Sequence, residues 1–464
     1  MDLELFVTPG LGDASYLLAS GGEAVLVDPQ RDAWRFLEVA GKRGWRVRYV
    51  LETHVHNDYL SGAIEARTAT GAEIAAPARG GYTFEHRPMD EGDAVEIGGL
   101  RLTAWATPGH TPEHLSWAVH DLGAEDPIGV FTGGSLLVGS AGRTDLLGAA
   151  LTDALTRDQQ RTLQRLATLP DATEVLPTHG AGSFCSAGPG SAKRVSTIAA
   201  ERLGNPTFGA ASDAFEAFRA QANGGLGRYP AYYAQMAPIN RAGPRVLGRL
   251  TLPPPLDAAA FEAAASAGAT IVDARDRAAF AAGHIRGALN IELDGTFAGY
   301  VGWLVPFASK VILVLPEGSG DAAEAAATEL LRIGYEWIPG FLDGGMDAWA
   351  ASGREVATYD TTTMDDARDA QADGEGRVLL DVRQPIEWQQ DGVVPGAERI
   401  FVADLPARIA ELQGAGAPVT VFCKSGSRAA IAASMLDAAG VDVRVVTEGG
   451  AAKWPEPLEL LPPL

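Results

Sequence analysis

Val419-Thr420-Val421-Phe422-Cys423-Lys424-Ser425-Gly426-Ser427-Arg428-Ala429 writes a strand, a short loop and the start of a helix into one stretch of chain. The apolar run reads as a buried strand and the alanine-rich run 429–433 as a helix, so Cys423 stands where one becomes the other. Backbone N–H groups of such a loop, and the dipole of the helix behind it, point at the sulfur. Arg428 adds a full positive charge, which favours the thiolate and makes Cys423 a candidate nucleophile. Lys424, Ser425, Gly426 and Ser427 form the sulfur cradle. A packed cysteine at a strand end is the plain alternative, and Gly426 and Arg428 at these offsets speak against it.

A duplication extends outward from that loop. Ile271-Val272-Asp273-Ala274-Arg275 mirrors Leu379-Leu380-Asp381-Val382-Arg383, and Asp381 lies 108 residues after Asp273. Gly287-Ala288 mirrors Gly396-Ala397, and Asp343-Gly344-Gly345 with Trp349 mirrors Glu448-Gly449-Gly450 with Trp454. The same offset ahead of Cys423 falls on Leu315-Pro316-Glu317-Gly318-Ser319-Gly320, which has neither the cysteine nor the arginine. The first copy therefore has no nucleophile, and a packing or gating role is expected of it. Short apolar strands at 270–272, 310–315, 378–380 and 443–446 alternate with helical stretches, the pattern of a parallel sheet covered by helices. Pro253-Pro254-Pro255 marks a stiff boundary, and the glycine- and aromatic-rich region before it, with Tyr229, Tyr232 and Tyr233, is expected to be a connector packed on the first domain. The domains expected are 1–203, a connector 204–255, 256–356 and 357–464.

A cradle of cysteine, four residues and arginine is one residue shorter than the loop of cysteine phosphatases, which must wrap a phosphate; the tighter ring suits a sulfur atom. Here the sequence resembles the rhodanese (sulfurtransferase) family, whose active loop often reads Cys-x-x-Gly-x-Arg. Asp381-Val382-Arg383, Glu387, Pro395-Gly396-Ala397 and Glu448-Gly449-Gly450 with Trp454 match its landmarks. The loop length and those landmarks also oppose a phosphatase or an arsenate reductase.

Seven of the eight histidines, His54, His56, His86, His110, His114, His120 and His179, precede residue 180, which suggests a metal. Thr53-His54-Val55-His56-Asn57-Asp58-Tyr59 follows the apolar strand 47–51 and puts ligand-type side chains on a turn at a strand end. Two histidines at i and i+2 can reach one metal from such a turn, and later strand-end loops supply His110 and His179. His86, His114 and His120 carry no motif and are read as structural or surface residues. The scatter over four loops resembles the metallo-β-lactamase fold, an αββα sandwich that gathers such loops at one edge of its sheets.

With Gly142-Arg143-Thr144-Asp145-Leu146, the His179-Gly180-Ala181-Gly182 loop and the two modules behind them, the whole chain resembles persulfide dioxygenase and sulfurtransferase fusion enzymes. The fold class expected is thus a multidomain α/β and α+β chain, an N-terminal αββα sandwich followed by two rhodanese-like parallel α/β domains. The resemblance implies a single non-haem Fe(II) that binds a persulfide and O₂ and yields sulfite, with thiosulfate as product or substrate according to direction. Arg143 is placed among the substrate-binding residues. Cys185, close behind the His179 loop, is open to persulfide handling or to plain packing.

Two positions depart from the family. Tyr59 replaces the last histidine of the motif, and Gly134 stands where the family has an aspartate in Phe131-Thr132-Gly133-Asp. In the dioxygenases that aspartate completes a facial triad with the counterparts of His54 and His110. In two-metal hydrolases such as glyoxalase II it bridges both ions, so binuclear hydrolysis is disfavoured. Three readings stay open: an iron site of His54 and His110 completed by His56, water, Asp58 or Asp145; a zinc site of His54, His56 and His110 that binds a thiolate; or a metal-free scaffold. His179 is a further candidate ligand.

The 464 residues, 46% hydrophobic, suffice for about three domains. A formal charge of −22 repels phosphodiester backbones and anionic lipid, so neither nucleic acid nor a membrane is expected as partner. Two cysteines fit a reducing compartment, and Met1-Asp2-Leu3-Glu4 lacks the pattern of a signal peptide, so a cytoplasmic protein is expected. The function expected is thiosulfate or persulfide sulfurtransfer through Cys423, with sulfite or a thiol as further small-molecule partners, no cofactor needed for that step, and a homo-oligomeric state. A dioxygenase feeding the rhodanese and a persulfide-binding sensor are the alternatives.

Overall fold

The computed structural model describes residues 1–188, 191–316, 319–374 and 376–461; Glu317 and Gly318 of the segment matching the Cys423 loop lie outside them. The chain divides into two units, Met1–Leu250 with Leu331–Gly334, and Thr251–Leu330 with Tyr335–Leu464.

Among the described residues, the first unit holds two six-stranded sheets. One runs in the order Asp2–Thr8, Asp13–Ser20, Glu23–Val27, Arg46–Leu51, Glu73–Pro77, Arg87–Met89; the other in the order Ser196–Thr197, Glu174–Pro177, Gly129–Gly133, Leu115–Asp121, Leu100–Ala106, Ala94–Ile97. The strand Asp13–Ser20 shows why they stack. Alternate side chains leave a strand on opposite faces. Tyr16 and Leu18 join Leu102, Trp117 and Phe131 in a core between the sheets, while Leu17 and Ala19 join Phe36, Ala40 and Ala66 of the helices Trp34–Arg43 and Ala63–Thr70 on the outside. The helix Ala149–Leu166 packs Leu163 and Leu166 with Val175 on the outer side of the second sheet. Each large apolar side chain so buried contributes roughly 1.5–3 kcal/mol. The layers are the expected αββα sandwich.

The second unit holds two five-stranded parallel sheets of matching order among the described residues. The first reads Pro255–Leu256, Gly340–Leu342, Val311–Val314, Thr270–Asp273, Leu289–Asn290; the second Asp360–Thr362, Val443–Val446, Val419–Phe422, Val378–Asp381, Glu398–Arg399. The duplication extends to side chains. Arg275 makes a two-pronged ion pair with Asp273 and donates to the Gly283 carbonyl, and Arg383 does the same with Asp381 and Gly392. The helix Ser427–Ala438 that follows the cysteine loop is buried at every position from Ala429 to Asp437. A helix covered all round needs partners on more than its own sheet, and the first module supplies one face: Ser434 Oγ accepts the Asn290 N–H at 3.1 Å, and His284 Nε2 lies 3.1 Å from Asp437 Oδ2. The first module thus packs against the helix that carries the nucleophile's loop. No helix among the described residues is long and apolar enough to cross a membrane.

Candidate functional sites: a cysteine loop and a histidine cluster

The strand Val419–Phe422 is wholly buried and delivers Cys423, itself buried, at the carboxyl end of the sheet's central strand. Gly426 caps the next helix at φ 102°, a left-handed conformation that a side chain rarely adopts, and its N–H donates to Cys423 Sγ at 3.1 Å. A side chain at Gly450 would lie 2.1 Å from the Cys423 carbonyl oxygen, so that glycine admits the loop. Arg428 is gripped by Glu387 through both terminal guanidinium nitrogens, Nη2 at 2.9 Å, and the Gln384 N–H donates to the same carboxylate at 2.9 Å. Lys424 and Ser425 line a cavity of about 560 Å³ with Arg277, Ala278, Thr447 and Glu448. The Gly426 N–H thus meets the sulfur, and Arg428, held by Glu387, is near enough to Cys423 to interact with it through charge. Ser427 faces Arg277, and Lys424 is exposed, with Asp391 at 3.4 Å.

Burial pushes the Glu387 carboxyl up, but the hydrogen bond and charge of Arg428 outweigh it and hold the group below its usual 4.5. A carboxylate lowered in the folded state stabilises the fold fully above about pH 4.5, and that contribution is lost as the pH falls below it through the folded value. Glu387→Gln should therefore give a Tm that declines less steeply than wild type between about pH 6 and pH 3. Equal slopes would contradict this ion pair's contribution.

In the first unit His54, His110 and His179 are buried and bring ligand atoms within 4.8 Å of one another; two overlapping groups, Asp28 with His54 and His56, and His56 with Asp58 and His179, do the same among the described residues. The hydrogen bonds orient the first three rings. Thr53 Oγ1 gives its one hydrogen to Asp28 Oδ2 at 2.7 Å and so accepts from His54 Nδ1 at 2.8 Å, which leaves His54 Nε2 a lone pair. His110 Nδ1 donates to the Arg143 carbonyl at 2.8 Å, and its buried Nε2 has no hydrogen-bond partner. His179 Nδ1 sits 2.9 Å from Asp13 Oδ1 and 3.2 Å from Asp58 Oδ2, and its Nε2 faces His54 Nε2 at 3.3 Å. Partners behind each ring, and nitrogens aimed at one another in front, are what a metal with imidazole ligands requires.

Two of the three rings have the neutral form that a metal ligand needs. Burial, then the neighbouring rings, hold His54 well below its usual range, and burial with the His179 charge pushes His110 down to about 3, so both rings are neutral. Burial works against a charged His179, but Asp58 and Asp13 outweigh it and push the ring up to about 9, so its Nε2 carries a proton towards His54 that a metal would have to displace. Burial and the charge of Asp58 push Asp13 up to about 7. Asp13, Asp28, Glu52 and Asp58 are all buried around the rings, and Asp58 is paired with His179 at 3.2 Å. The charges of His179 and His56, both held up by these acids, balance that negative charge. By the grouping of their ligand atoms and the unpartnered His110 Nε2, the residues present fit a metal whose binding releases the His179 proton.

His56 turns its Nε2 to Glu52 at 3.1 Å, Tyr59 Oη at 3.0 Å and Asp28 at 3.3 Å, leaving Nδ1 without a hydrogen bond. His114, which carries no motif, lies inside the cluster in a structural place: Nδ1 meets Thr107 at 2.9 Å and Nε2 accepts the Gly134 N–H at 2.9 Å. The space a side chain at Gly134 would take is filled, since a Cβ there would sit 2.2 Å from His110 Cδ2. Gly134→Asp is therefore expected to displace the His110 ring, cost about 1–3 kcal/mol of stability by overpacking, and lower metal content; a melt and a metal assay check both. The Arg143 guanidinium is taken by Asp145 at 2.6 and 2.7 Å and by the Phe184 carbonyl at 3.1 Å. Cys185 is buried 4.0 Å from Tyr233 Oη, and burial pushes its thiol up.

Sequence reading did not find the residues behind the rings. Asp28 anchors Thr53 and Thr178, and its φ of 48° is rare for a residue with a side chain. The connector also takes part: Asn240 Nδ2 donates to the carbonyls of His56 at 2.9 Å and Tyr59 at 2.8 Å, and Tyr232 Oη donates to that of Asp58 at 2.8 Å.

Comparison with known proteins agrees with this architecture. The model of the metallo-beta-lactamase superfamily matches residues 9–179, and that of the rhodanese-like domain matches 257–352 and 363–456. The chain is similar to the hydroxyacylglutathione hydrolase of Methylobacillus flagellatus, 34% identical over 166 residues, 35% of this chain and 60% of that one. It is likewise similar to the hydroxyacylglutathione hydrolase of Cereibacter sphaeroides (strain ATCC 17025), 33% identical over 186 residues, 39% of this chain and 67% of that one. A metallo-beta-lactamase structure from Staphylococcus aureus subsp. aureus COL superposes with a TM-score of 0.65 at 28% identity, over 73% of this chain and 98% of that one. The chain belongs to the metallo-beta-lactamase superfamily, and it carries two rhodanese-like domains behind that domain. It spans 60% of the length of the Methylobacillus relative.

Proposed function

We propose that the chain is a sulfane-sulfur enzyme that transfers sulfur through a persulfide on Cys423, and that His54, His110 and His179 hold one divalent metal, iron(II) or zinc, in the first domain. The observation that carries the reading is the Gly426 N–H directed at Cys423 Sγ at 3.1 Å, in a loop whose Arg428 is fixed by Glu387.

The Cys423 thiolate attacks the outer sulfur of thiosulfate; an S–S bond forms, the donor's S–S bond breaks, and sulfite leaves with the electron pair. The terminal sulfur of the resulting persulfide is again an anion, and the loop N–H groups and Arg428 stabilise it where it forms. A thiolate, sulfite or cyanide then attacks that sulfur, and Cys423 departs as thiolate. Dividing the transfer this way replaces one difficult displacement by two easier ones. Protein given thiosulfate and then cyanide should release thiocyanate; a protein that forms none would overturn the reading.

In the first domain, a bound divalent ion supplies open coordination positions at which a thiolate or persulfide sulfur binds. The residues of this chain fix the three rings, with Thr53, the Arg143 carbonyl and Asp13 setting which nitrogen of each faces inward. Gly134 offers no side chain to bridge a second ion, so the hydrolysis named for the curated relatives is not the reaction proposed. Oxygen uptake on glutathione persulfide by protein loaded anaerobically with iron distinguishes an oxygenase from a persulfide-binding domain.

A further inference from the structure

We propose that Arg277, on the first rhodanese module, is a positioning residue for sulfur transfer at Cys423 of the second. The module without a nucleophile would then complete the site of the module that has one. This rests on the Cys423 persulfide reading above.

Arg277 opens the helix Arg277–Ala282. Its guanidinium is aimed by Glu292, which accepts from Nε at 3.0 Å and Nη2 at 2.6 Å and also takes the Arg277 N–H at 2.8 Å. From there Nη1 donates to the Ser425 carbonyl at 2.6 Å and the Thr447 carbonyl at 3.2 Å, and Nη2 donates to Ser427 Oγ at 3.2 Å. One side chain thus ties together the residues on either side of Gly426 and the segment packed behind them.

The Ser425 contact bears on the chemistry. The carbonyl of Ser425 and the N–H of Gly426 belong to a single planar peptide unit, and the two groups point in opposite directions. One end of that unit is held by Arg277, and the other donates to Cys423 Sγ at 3.1 Å. If the peptide turned over, the N–H would leave the sulfur and a carbonyl oxygen would face an anion. Gly426 offers little resistance to such a turn, because a glycine at φ 102° has other conformations within reach. The space beside it is closed by the same groups: a Cβ at Gly426 would lie 2.3 Å from Arg277 Nη1 and 2.1 Å from the Thr447 oxygen. Arg277 therefore holds the orientation of a donor that itself touches the reacting atom. Burial works against its charge, Glu292 restores it, and the Cys423 sulfur is near enough to add to that effect.

The test compares Arg277→Met, Arg277→Lys and Glu292→Gln with wild type in the full chain, with thiosulfate as donor. Single-turnover rates of Cys423 persulfide formation are normalised to the number of cysteines that can be persulfidated, so that partial misfolding does not enter. Arg277→Met should be about 10- to 100-fold slower at saturating thiosulfate, less than the roughly 100- to 1000-fold loss when such a donor is removed outright, because here it is only misplaced. Arg277→Lys, which keeps the charge but not the fork, should recover part of the rate. Glu292→Gln, which keeps the arginine and loosens its aim, should lie between. Wild-type rates per competent site in Arg277→Met and Glu292→Gln would overturn the proposal, as would fewer competent sites reacting at the normal rate, the mark of a purely structural residue. If Arg277→Met does not fold, the Glu292→Gln rate decides. Failure of the underlying reading is distinct: the wild-type protein itself would take no sulfur on Cys423.

Discussion

Cys423→Ser is expected to lower thiocyanate formation from thiosulfate and cyanide by about a thousandfold or more, because the step lost is the covalent one. A serine hydroxyl is close in size to the thiol, so the buried strand end should pack as before and the melting temperature should stay near that of wild type. Its oxygen is not ionised near neutral pH and makes no stable bond to a sulfane sulfur, so the Gly426 N–H and Arg428 are left with no anion to serve. The other cysteine gives the control. Cys185 is buried in the first unit, and burial pushes its thiol up, away from the nucleophilic form. Cys185→Ser should leave thiocyanate formation within about twofold of wild type, since burial keeps that thiol out of the nucleophilic form. Full turnover in Cys423→Ser would remove the sulfurtransfer reading.

His110→Ala is expected to take bound metal from about one ion per chain to near zero, since losing one of three ligands leaves a two-coordinate remnant. His110 is the sharpest choice because its Nε2 is buried without a hydrogen-bond partner, while the rest of the ring contacts Gly134 and the Arg143 carbonyl. Asp13→Asn acts one layer out. It weakens the acceptor behind His179 and should lower metal affinity about 10- to 100-fold without removing the ion at saturation. His114→Ala should chiefly lower stability, because that ring satisfies the Gly134 N–H and Thr107. Elemental analysis with a chelator titration separates these outcomes. Full metal content in His110→Ala would exclude the three-histidine set.

The parts of the fold that announce themselves in the sequence are those with a local pattern. The Cys423 loop is legible because strand, glycine and arginine fall within one turn of chain, and the duplication is legible because Asp273-Ala274-Arg275 and Asp381-Val382-Arg383 repeat both spacing and chemistry. The histidine pairing at 54 and 56 and the loops of 110 and 179 are legible for the same reason. What escapes is what comes from afar. Asp13 reaches His179 across 166 positions, and Asp28 reaches Thr178 across 150. Neither acid differs in sequence from a surface one; the nearest signal is Asp28 at the end of a strand, before Pro29. His114 looks like a histidine at the start of an ordinary strand until Gly134 is placed beside it. Arg277 stands at a helix start with no motif around it, and only the approach of Ser425 gives it a role. Asn240 and Tyr232 sit in a connector whose composition says nothing of the histidine loop they clamp.

The most direct test of the central claim is the mass of the peptide containing Cys423 after the intact protein has been incubated with thiosulfate and quenched without reductant. The account predicts a gain of one sulfur atom on that cysteine, removed by cyanide and absent from the Cys185 peptide. An unmodified Cys423 in protein that is folded and exposed to excess donor would contradict it.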